Sequence, residues 1–461
     1  VSRELLKKTL GTALSKGGDF AEVYLEHDVS NSVTMEEDIV RESSEEIALG
    51  AGVRVLSGQQ TGYAYTSDLS EEKLKAAALT AAAIASSGAK APCAALSEAK
   101  LERNLYPLVR PLSGEGLEAK IGLVKAGYAA ARAYDKRVTK VQAWLAEDLQ
   151  VVTVANSEGL VVSDVRPQVR LSVTATAEEN GLRGTGRANN GGRVGMAFYE
   201  TSGETPKSIG ERAAKEAITL LSAVDPVAGE QTVILGKDQS GVMIHEAVGH
   251  PLEGDGNWQK TSIMWDKLGQ MVASPLVTIY DDMTIPAYRG SMNVDDEGTP
   301  TRSATLIEKG RLVGYLHDRL SAKMLKMPAN GHGRRQSFRD YPIPRMGNTV
   351  LAKGESDPEE IIRSVKKGFY AHTYQGGQVE GTGKFVFSVN TGYLVEDGKL
   401  TRPVKNATLI GTNVQILKEI DMVGSDMGFF LGSCGKGGQW AAVTAGTPTV
   451  RIRQMTVGGR K

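Results

Sequence analysis

Alternation of apolar and polar residues at period two prevails along this chain, interrupted by a few segments with helical spacing. Leu5, Leu6, Leu10 and Leu14 fall on one side of a helix formed by the opening segment. Strand-like runs follow at 20–27, 31–39, 47–56 and 61–66, and an alanine-rich stretch over 70–86 reads as a second helix. Residues 87–115 carry Ser, Gly and Pro without a period, which predicts a linker or an extended crossing. A helix over 116–134 opens the next unit. Alternating segments such as VQAWLAED and VRLSVTATAEEN, with a turn at Asn156-Ser157-Glu158-Gly159, predict an antiparallel meander before a helix near 205–222. Asp225-Pro226 marks a boundary, and from Thr232 onward short strands and hairpins dominate, with Asp397-Gly398 a tight turn. The pattern predicts an α+β fold in three units, built from mostly antiparallel or mixed sheets with packed helices. Their expected limits are 1–90 for an N-terminal α+β domain, 91–115 for a linker, 116–224 for a middle α+β domain and 225–461 for a strand-rich C-terminal domain.

Length and composition narrow the class. At 461 residues the chain exceeds what one growing core fills, and 41% hydrophobic with 23% charged residues is ordinary for a globular protein. Lys plus Arg and Asp plus Glu both total 54, so no global field draws the chain to nucleic acid or to a membrane surface. No apolar run approaches the roughly 20 residues of a membrane span. The first residues lack the apolar core and cleavage site of a signal peptide, so a cytoplasmic location is expected. Two cysteines, Cys93 and Cys434, form no disulfide framework, in keeping with a reducing compartment.

HEAVGH, residues 245–250, is the chief candidate for chemistry. It resembles the H-E-x-x-H zinc signature, but the second histidine stands at i+5. Five residues rotate a side chain by about 500° on a regular helix, leaving His245 and His250 roughly 140° apart. Either a π-type turn or a helix ending at Gly249 and Pro251 is needed to aim both rings at one ion. With six histidines and 54 acidic residues in 461, such a pattern arises by chance less than roughly once in a hundred. The plain alternative is two unrelated histidines bonding to backbone near a helix end. In the metal reading His245 and His250 are zinc ligands and Glu246 is the base that takes a proton from the attacking water. A catalytic zinc needs a third donor, which the local sequence leaves open among Glu253 or Asp255 in LEGDG, another histidine, and Cys434 in the glycine-rich FFLGSCGKGGQ.

HEAVGHPLEGD, NGHGRRQSFRDYPIPRMGNT at 330–349, GGQVEGTGKFVFSVNTGYLVEDGK at 376–399 and GSCGKGGQ at 432–439 resemble the TldD/PmbA family of metallopeptidases, sometimes called modulators of DNA gyrase. These matches span essentially the whole last unit, and VRESSEEIALGAGVRVLSG resembles the family's first domain more loosely. The resemblance implies a zinc site of His245, His250 and Cys434 with Glu246 as general base. Because HExxxH is kept, it implies a TldD-like catalytic subunit, dimeric with itself or with a PmbA- or TldE-like partner. It further implies cleavage of unfolded or leader-type peptides within the dimer cavity. One departure is Arg334-Arg335-Gln336-Ser337 where the family pattern has RRES.

Further expectations concern substrate. Arg334, Arg335 and Arg345, with His332 beside them, suit an oxyanion or a substrate carboxylate, the alternative being a solvated loop. Without aromatic interleaving or a nucleic-acid module, they do not suggest DNA binding. FVFSV, residues 385–389, alternates as an edge strand able to receive an extended peptide would, or as an ordinary core strand. Two other functions fit the residues: a metal-stabilised peptide-binding or chaperone-like subunit that does not cut, and a deformylase-like hydrolase. The same donor set also suits iron.

Overall fold

The computed structural model describes residues 1–86, 91–237, 239–380 and 383–459. The first four residues of the expected linker stretch, 87–90, and residues 381–382 of the glycine-rich GGQVEGTGK lie outside them. It is an α+β structure, with long antiparallel strands in its first half and two smaller sheets in its second.

The opening helix, Arg3–Ala13, buries Leu6 and Leu10 and is capped by Ser2, whose hydroxyl accepts from the Leu5 amide at 3.2 Å. It packs with Glu71–Ile84 against a seven-stranded sheet. That sheet runs Gln60–Thr66, Ile39–Ser57, Phe20–Glu36, Val138–Asn156, Leu160–Glu179, Ser97–Glu98, and Leu182–Gly192 pairs with Leu160–Glu179. Phe20–Glu36 pairs with Val138–Asn156 from Glu22 opposite Asn156 to Glu36 opposite Gln142. The expected first and middle units therefore share one sheet, and the break at 91–115 separates no two layers. Two long strands, Phe20–Glu36 and Ile39–Ser57, also replace the shorter runs at 20–27, 31–39 and 47–56. Alternation fades over 41–47 because that half of Ile39–Ser57 is exposed on both faces, so no core selects apolar residues there. Helices Leu117–Tyr134 and Pro206–Leu221 cover the far half of the sheet, burying Val124, Ala131, Ile209 and Ala213 against Val141, Leu171 and Val173.

Among the described residues the last unit holds two larger sheets around one core and a two-stranded pair, Gly333–Arg334 with Ile343–Pro344. One runs Arg311–Leu312, Ser303–Glu308, Ile279–Asp282, Asn348–Leu351, Gln439–Thr447, Gly428–Lys436; Asn348–Leu351 and Gln439–Thr447 pair in parallel. The other runs Lys367–Val379, Gly229–Leu235, Val450–Gly458, Ala407–Thr412, Lys384–Glu396, Lys399–Val404, with Lys367–Val379 also paired to Lys384–Glu396. Asp397 and Gly398 both take positive φ (46° and 75°), as a two-residue hairpin turn requires. FVFSV does not lie at an edge. It belongs to Lys384–Glu396, which has a partner on each side and buries Phe385, Phe387 and Val389. Its alternation reflects one apolar face turned to the core, a pattern that inner and edge strands share. The helical segment with HEAVGH threads into that core through Met243, Ile244, Ala247, Val248 and Leu252.

Candidate metal centre

A short helix, Gly241–Ile244, leads into a π-turn over His245–Gly249 and then a 3-10 turn, His250–Leu252. The defining contact is the His250 amide donating to the His245 carbonyl, an i to i+5 bond that widens the turn. Two glycines let this distorted segment sit close to its supports. A Cβ at Gly249 would lie 1.7 Å from the Met346 sulfur, and one at Gly241 would lie 2.4 Å from the Ala445 carbonyl oxygen. The strand pair carrying Cys434 approaches from the other side, with Cys434 opposite Ala441 in register.

The π-turn brings the His245 and His250 rings to a centroid distance of 5.3 Å, nearly perpendicular at 81°. Cys434 Sγ lies 3.2 Å from His250 Nε2, and the ligand atoms of His245, His250 and Cys434 all fall within 4.8 Å of one another. His245 is buried, and neither of its ring nitrogens has a hydrogen-bond partner among the described residues. A buried imidazole without partners is costly unless something takes its lone pair. Burial opposes ionisation of the Cys434 thiol, but the two imidazoles outweigh it and bring the thiol down to about 4. Two imidazoles and a thiol facing one point become, once a metal displaces their protons, the donor set of a divalent, borderline-soft ion with one coordination position left open. The residues therefore fit the metal that the motif implies.

Around these three stands a charged support. Glu253 Oε2 lies 3.0 Å from His250 Nδ1, so the Nε2 edge of that ring is the one turned to Cys434. Glu253 is buried, and burial would raise its carboxyl, but Lys436, His250 and Arg345 hold it near 2. Lys436 Nζ reaches Glu253 at 3.1 Å and Asp255 at 2.7 Å. Glu253 and Asp255, candidates for the third ligand, are thus engaged by His250 and Lys436, and neither is among the donor atoms that fall together. Glu246 Oε2 is 3.8 Å from His250 Nε2, and burial pushes its carboxyl above the usual range against the pull of both histidines. Glu246, His250 and Cys434 line a cleft of about 720 Å³, whose far wall includes Gly377, Gln378 and Val379.

The expected substrate group lies elsewhere. None of His332, Arg334, Arg335 and Arg345 is among the residues lining that cleft. His332 Nε2 is 3.1 Å from Asp281, and Arg335 reaches Glu22 at 2.5 Å while stacking over the Tyr24 ring. Arg334 donates to the carbonyls of Met346 and Ala442. Arg345 donates to the carbonyls of Cys434, at 2.6 Å, and Gln439, at 3.2 Å. A run of arginines in a turn-rich segment does not distinguish guanidiniums that cross-link a fold from ones that meet a ligand. Sequence reading also missed Lys436, for which a lysine two residues after the candidate cysteine was the sole available signal.

The comparisons agree with this geometry. Residues 228–459 match the PmbA/TldA metallopeptidase C-terminal domain, 110–221 its central domain and 21–85 its domain 1. A metalloprotease TldD homolog from Haemophilus influenzae is 40% identical over 450 residues, covering 96% of this chain and 93% of that one. A metalloprotease from Methanothermobacter thermautotrophicus is 32% identical over 448 residues, covering 96% of each chain. In fold, the chain is similar to a putative modulator of a DNA gyrase from Thermotoga maritima (TM-score 0.81, 22% identity), covering 99% of this chain and 100% of that one. It is also similar to TldE from Thermococcus kodakarensis (TM-score 0.76, 20% identity), covering 99% of each. With all three domains matched in order and relatives aligned over nearly their full length, the chain belongs to the TldD/PmbA family of metallopeptidases.

Proposed function

We propose that the chain is a zinc-dependent endopeptidase that cuts unfolded peptides, with His245, His250 and Cys434 as metal ligands and Glu246 as the general base. The observation that carries this reading is that Glu246 and two of the three donors face one cleft, beside an unpaired strand edge. Lys367–Val379 pairs with Gly229–Leu235 only over 368–371, so among the described residues one side of 374–379 has no strand partner. Residues 375–378 are exposed. An extended peptide laid along this edge gains main-chain hydrogen bonds with little demand on its sequence, and a folded protein cannot present such a strand.

A metal bound by the three donors supplies Lewis acidity for the scissile carbonyl and acidifies the attacking water. Glu246, with its carboxyl raised by burial, accepts the water proton and returns it to the leaving amine. Glu253 holds the His250 ring by Nδ1, and Arg345 fixes Cys434 through its carbonyl. Glycines at 376 and 377 leave the facing edge free of side chains where the peptide backbone approaches. The proposed enzyme is a dimer, of the chain with itself or with a TldE-like partner, that encloses the cleft; the similarity in fold to TldE supports such a partnership.

The test is cleavage of an unstructured peptide and of a stably folded protein by zinc-loaded chain, with and without a TldE-like partner. Cutting of the peptide alone, lost in Glu246→Gln and on chelation, is the expected result. Undiminished function in Glu246→Gln would establish a binding subunit, and turnover confined to formylated N-termini would establish a deformylase.

A further inference from the structure

A second cavity, of about 150 Å³, lies between the first sheet and the segments 334–336 and 440–442. Trp440 borders both this cavity and the metal cleft, so the two adjoin at one side chain. Its lining carries four guanidiniums. Two of them are matched by carboxylates: Arg166 by Asp296 at 2.6 Å and Asp164 at 3.2 Å, and Arg335 by Glu22 at 2.5 Å. The other two are not. Arg334 is 4% exposed and donates only to main-chain carbonyls, at 2.5 and 2.8 Å. Arg193 is 7% exposed and its guanidinium lies 5.7 Å from the centre of the Tyr106 ring; among the described residues that guanidinium donates no hydrogen bond, and its Nε is buried without a partner.

Such an arrangement is costly as it stands. Burial, and then repulsion from Arg193, bring the Arg334 guanidinium down to about 9. Arg193 is lowered by burial as well, against the pull of Tyr106. Arg289 adds a third cation nearby, its donors engaged only by the Gly432 carbonyl and the Ser433 hydroxyl. Arg193 and Arg334 feel Asp296 only at a distance, and buried guanidiniums with no carboxylate in hydrogen-bond contact are the groups that a planar anion satisfies in bidentate fashion. The charge of that anion is limited by the other wall, where Asp28, Asp148 and Asp296 face the same cavity. A single negative charge is tolerated there better than the near-dianion of a phosphate. The cavity is small beside the metal cleft, about 150 against about 720 Å³, which suits the end of a peptide.

We propose that this cavity is a carboxylate site, with Arg193 and Arg334 as its donors, that receives the C-terminal carboxylate of a peptide held in the adjoining cleft. The inference rests on the peptidase reading and deepens it: the enzyme selects for chain ends as well as for disorder. The hairpin of Gly428–Lys436 and Gln439–Thr447 carries Cys434 on one strand, facing the metal cleft, and Trp440, Ala441 and Ala442, which line this cavity, on the other. A bound terminus is therefore held close to the bond that is cut.

The experiment uses zinc-loaded Glu246→Gln protein, which binds without turnover, and an unstructured peptide of about ten residues made as the free acid and as the C-terminal amide. The acid is expected to bind about tenfold more tightly. Arg193→Met in the same background is expected to abolish that preference. It removes a charge that has no partner, so its thermal midpoint is expected to stay at or above that of the parent, which keeps the comparison between folded proteins. Sodium acetate is expected to compete with the acid form, and inorganic phosphate to compete less well. Equal binding of acid and amide, no measurable binding of the acid, a preference that survives Arg193→Met, or stronger competition by phosphate would each overturn the proposal. The peptidase reading is tested separately by cleavage of the amide peptide with Glu246 intact. Cleavage without acid preference removes this inference alone; acid preference without cleavage of either form removes the proposed reaction and leaves the site.

Discussion

Glu253 Oε2 lies 3.0 Å from His250 Nδ1, and the opposite nitrogen of that ring lies 3.2 Å from Cys434 Sγ. One carboxylate thereby fixes which edge of the imidazole is turned to Cys434, and in the proposed metal site it would add to the basicity of that ligand. Glu253→Gln keeps an acceptor at Nδ1 but removes the charge, and is expected to weaken zinc binding by about 10- to 100-fold. Competition with a chromophoric chelator measures this. Unchanged affinity would mean that the ring is oriented by packing alone.

Cys434→Ser tests the third donor. The wild type, purified without chelator, is expected to carry roughly one zinc per chain and the variant far less, with an unchanged circular dichroism spectrum. The fold is expected to survive because the side chain is one small member of a large core that does not depend on it. Retention of full metal in the variant would return Glu253 or Asp255 to consideration as ligands.

Arg345 is a positioning residue, 1% exposed, that ties the carbonyls of Cys434 and Gln439 together across the turn between their strands. Arg345→Met removes both bonds and leaves Glu253 with Lys436 and His250 as its remaining partners. We expect a loss of about 2–5 kcal/mol in urea unfolding of the metal-free protein. Arg345→Lys, which can reach one carbonyl but not span two, is expected to recover only part of that loss.

The two readings of HEAVGH differed in how much the sequence could decide. The i+5 spacing alone required a widened turn or a helix end, and the chain adopts the π-turn, with a bond from the His250 amide to the His245 carbonyl. That step was legible because backbone geometry constrains it. The placement of Cys434, 184 residues away from His250, was not, since only the register of the last sheet brings it there. The arginines show the opposite limit. Arg334, Arg335 and Arg345 read as one charge run because sequence reports charge and not burial, and the partners that set them apart, Glu22, Met346, Ala442 and Gln439, come from other parts of the chain or from carbonyls that carry no sequence signal. The joining of the first and middle units in one sheet escaped detection for a similar reason: Phe20–Glu36 and Val138–Asn156 are each self-consistent strands, and neither names its neighbour.

The contribution of Glu26 to stability is expected to fall as pH rises towards neutrality. Burial pushes its carboxyl up to about 7, outweighing the hydrogen bonds donated by Gln150 and by the Phe338 amide. The unfolded chain releases that proton near pH 4.5, so between about pH 4.5 and 7 the native state binds more protons than the unfolded state. Stability therefore decreases with pH across that window, and the decrease is complete above about 7. At about 1.4 kcal/mol per pKa unit, the contribution of Glu26 is on the order of 3 kcal/mol. Asp318, raised to about 7 by its burial and by Glu297, acts in the same direction. Glu26→Gln supplies a neutral side chain whose carbonyl can still accept from the Phe338 amide, while the Gln150 amide turns its oxygen to face the new NH2 group. Urea unfolding at pH 5 and pH 8 is expected to show a smaller fall for the variant than for the wild type, with the gain confined to pH 8. Equal falls in the two proteins would mean that Glu26 is ionised in the native state across the whole range, with water reaching a carboxyl that this structure encloses.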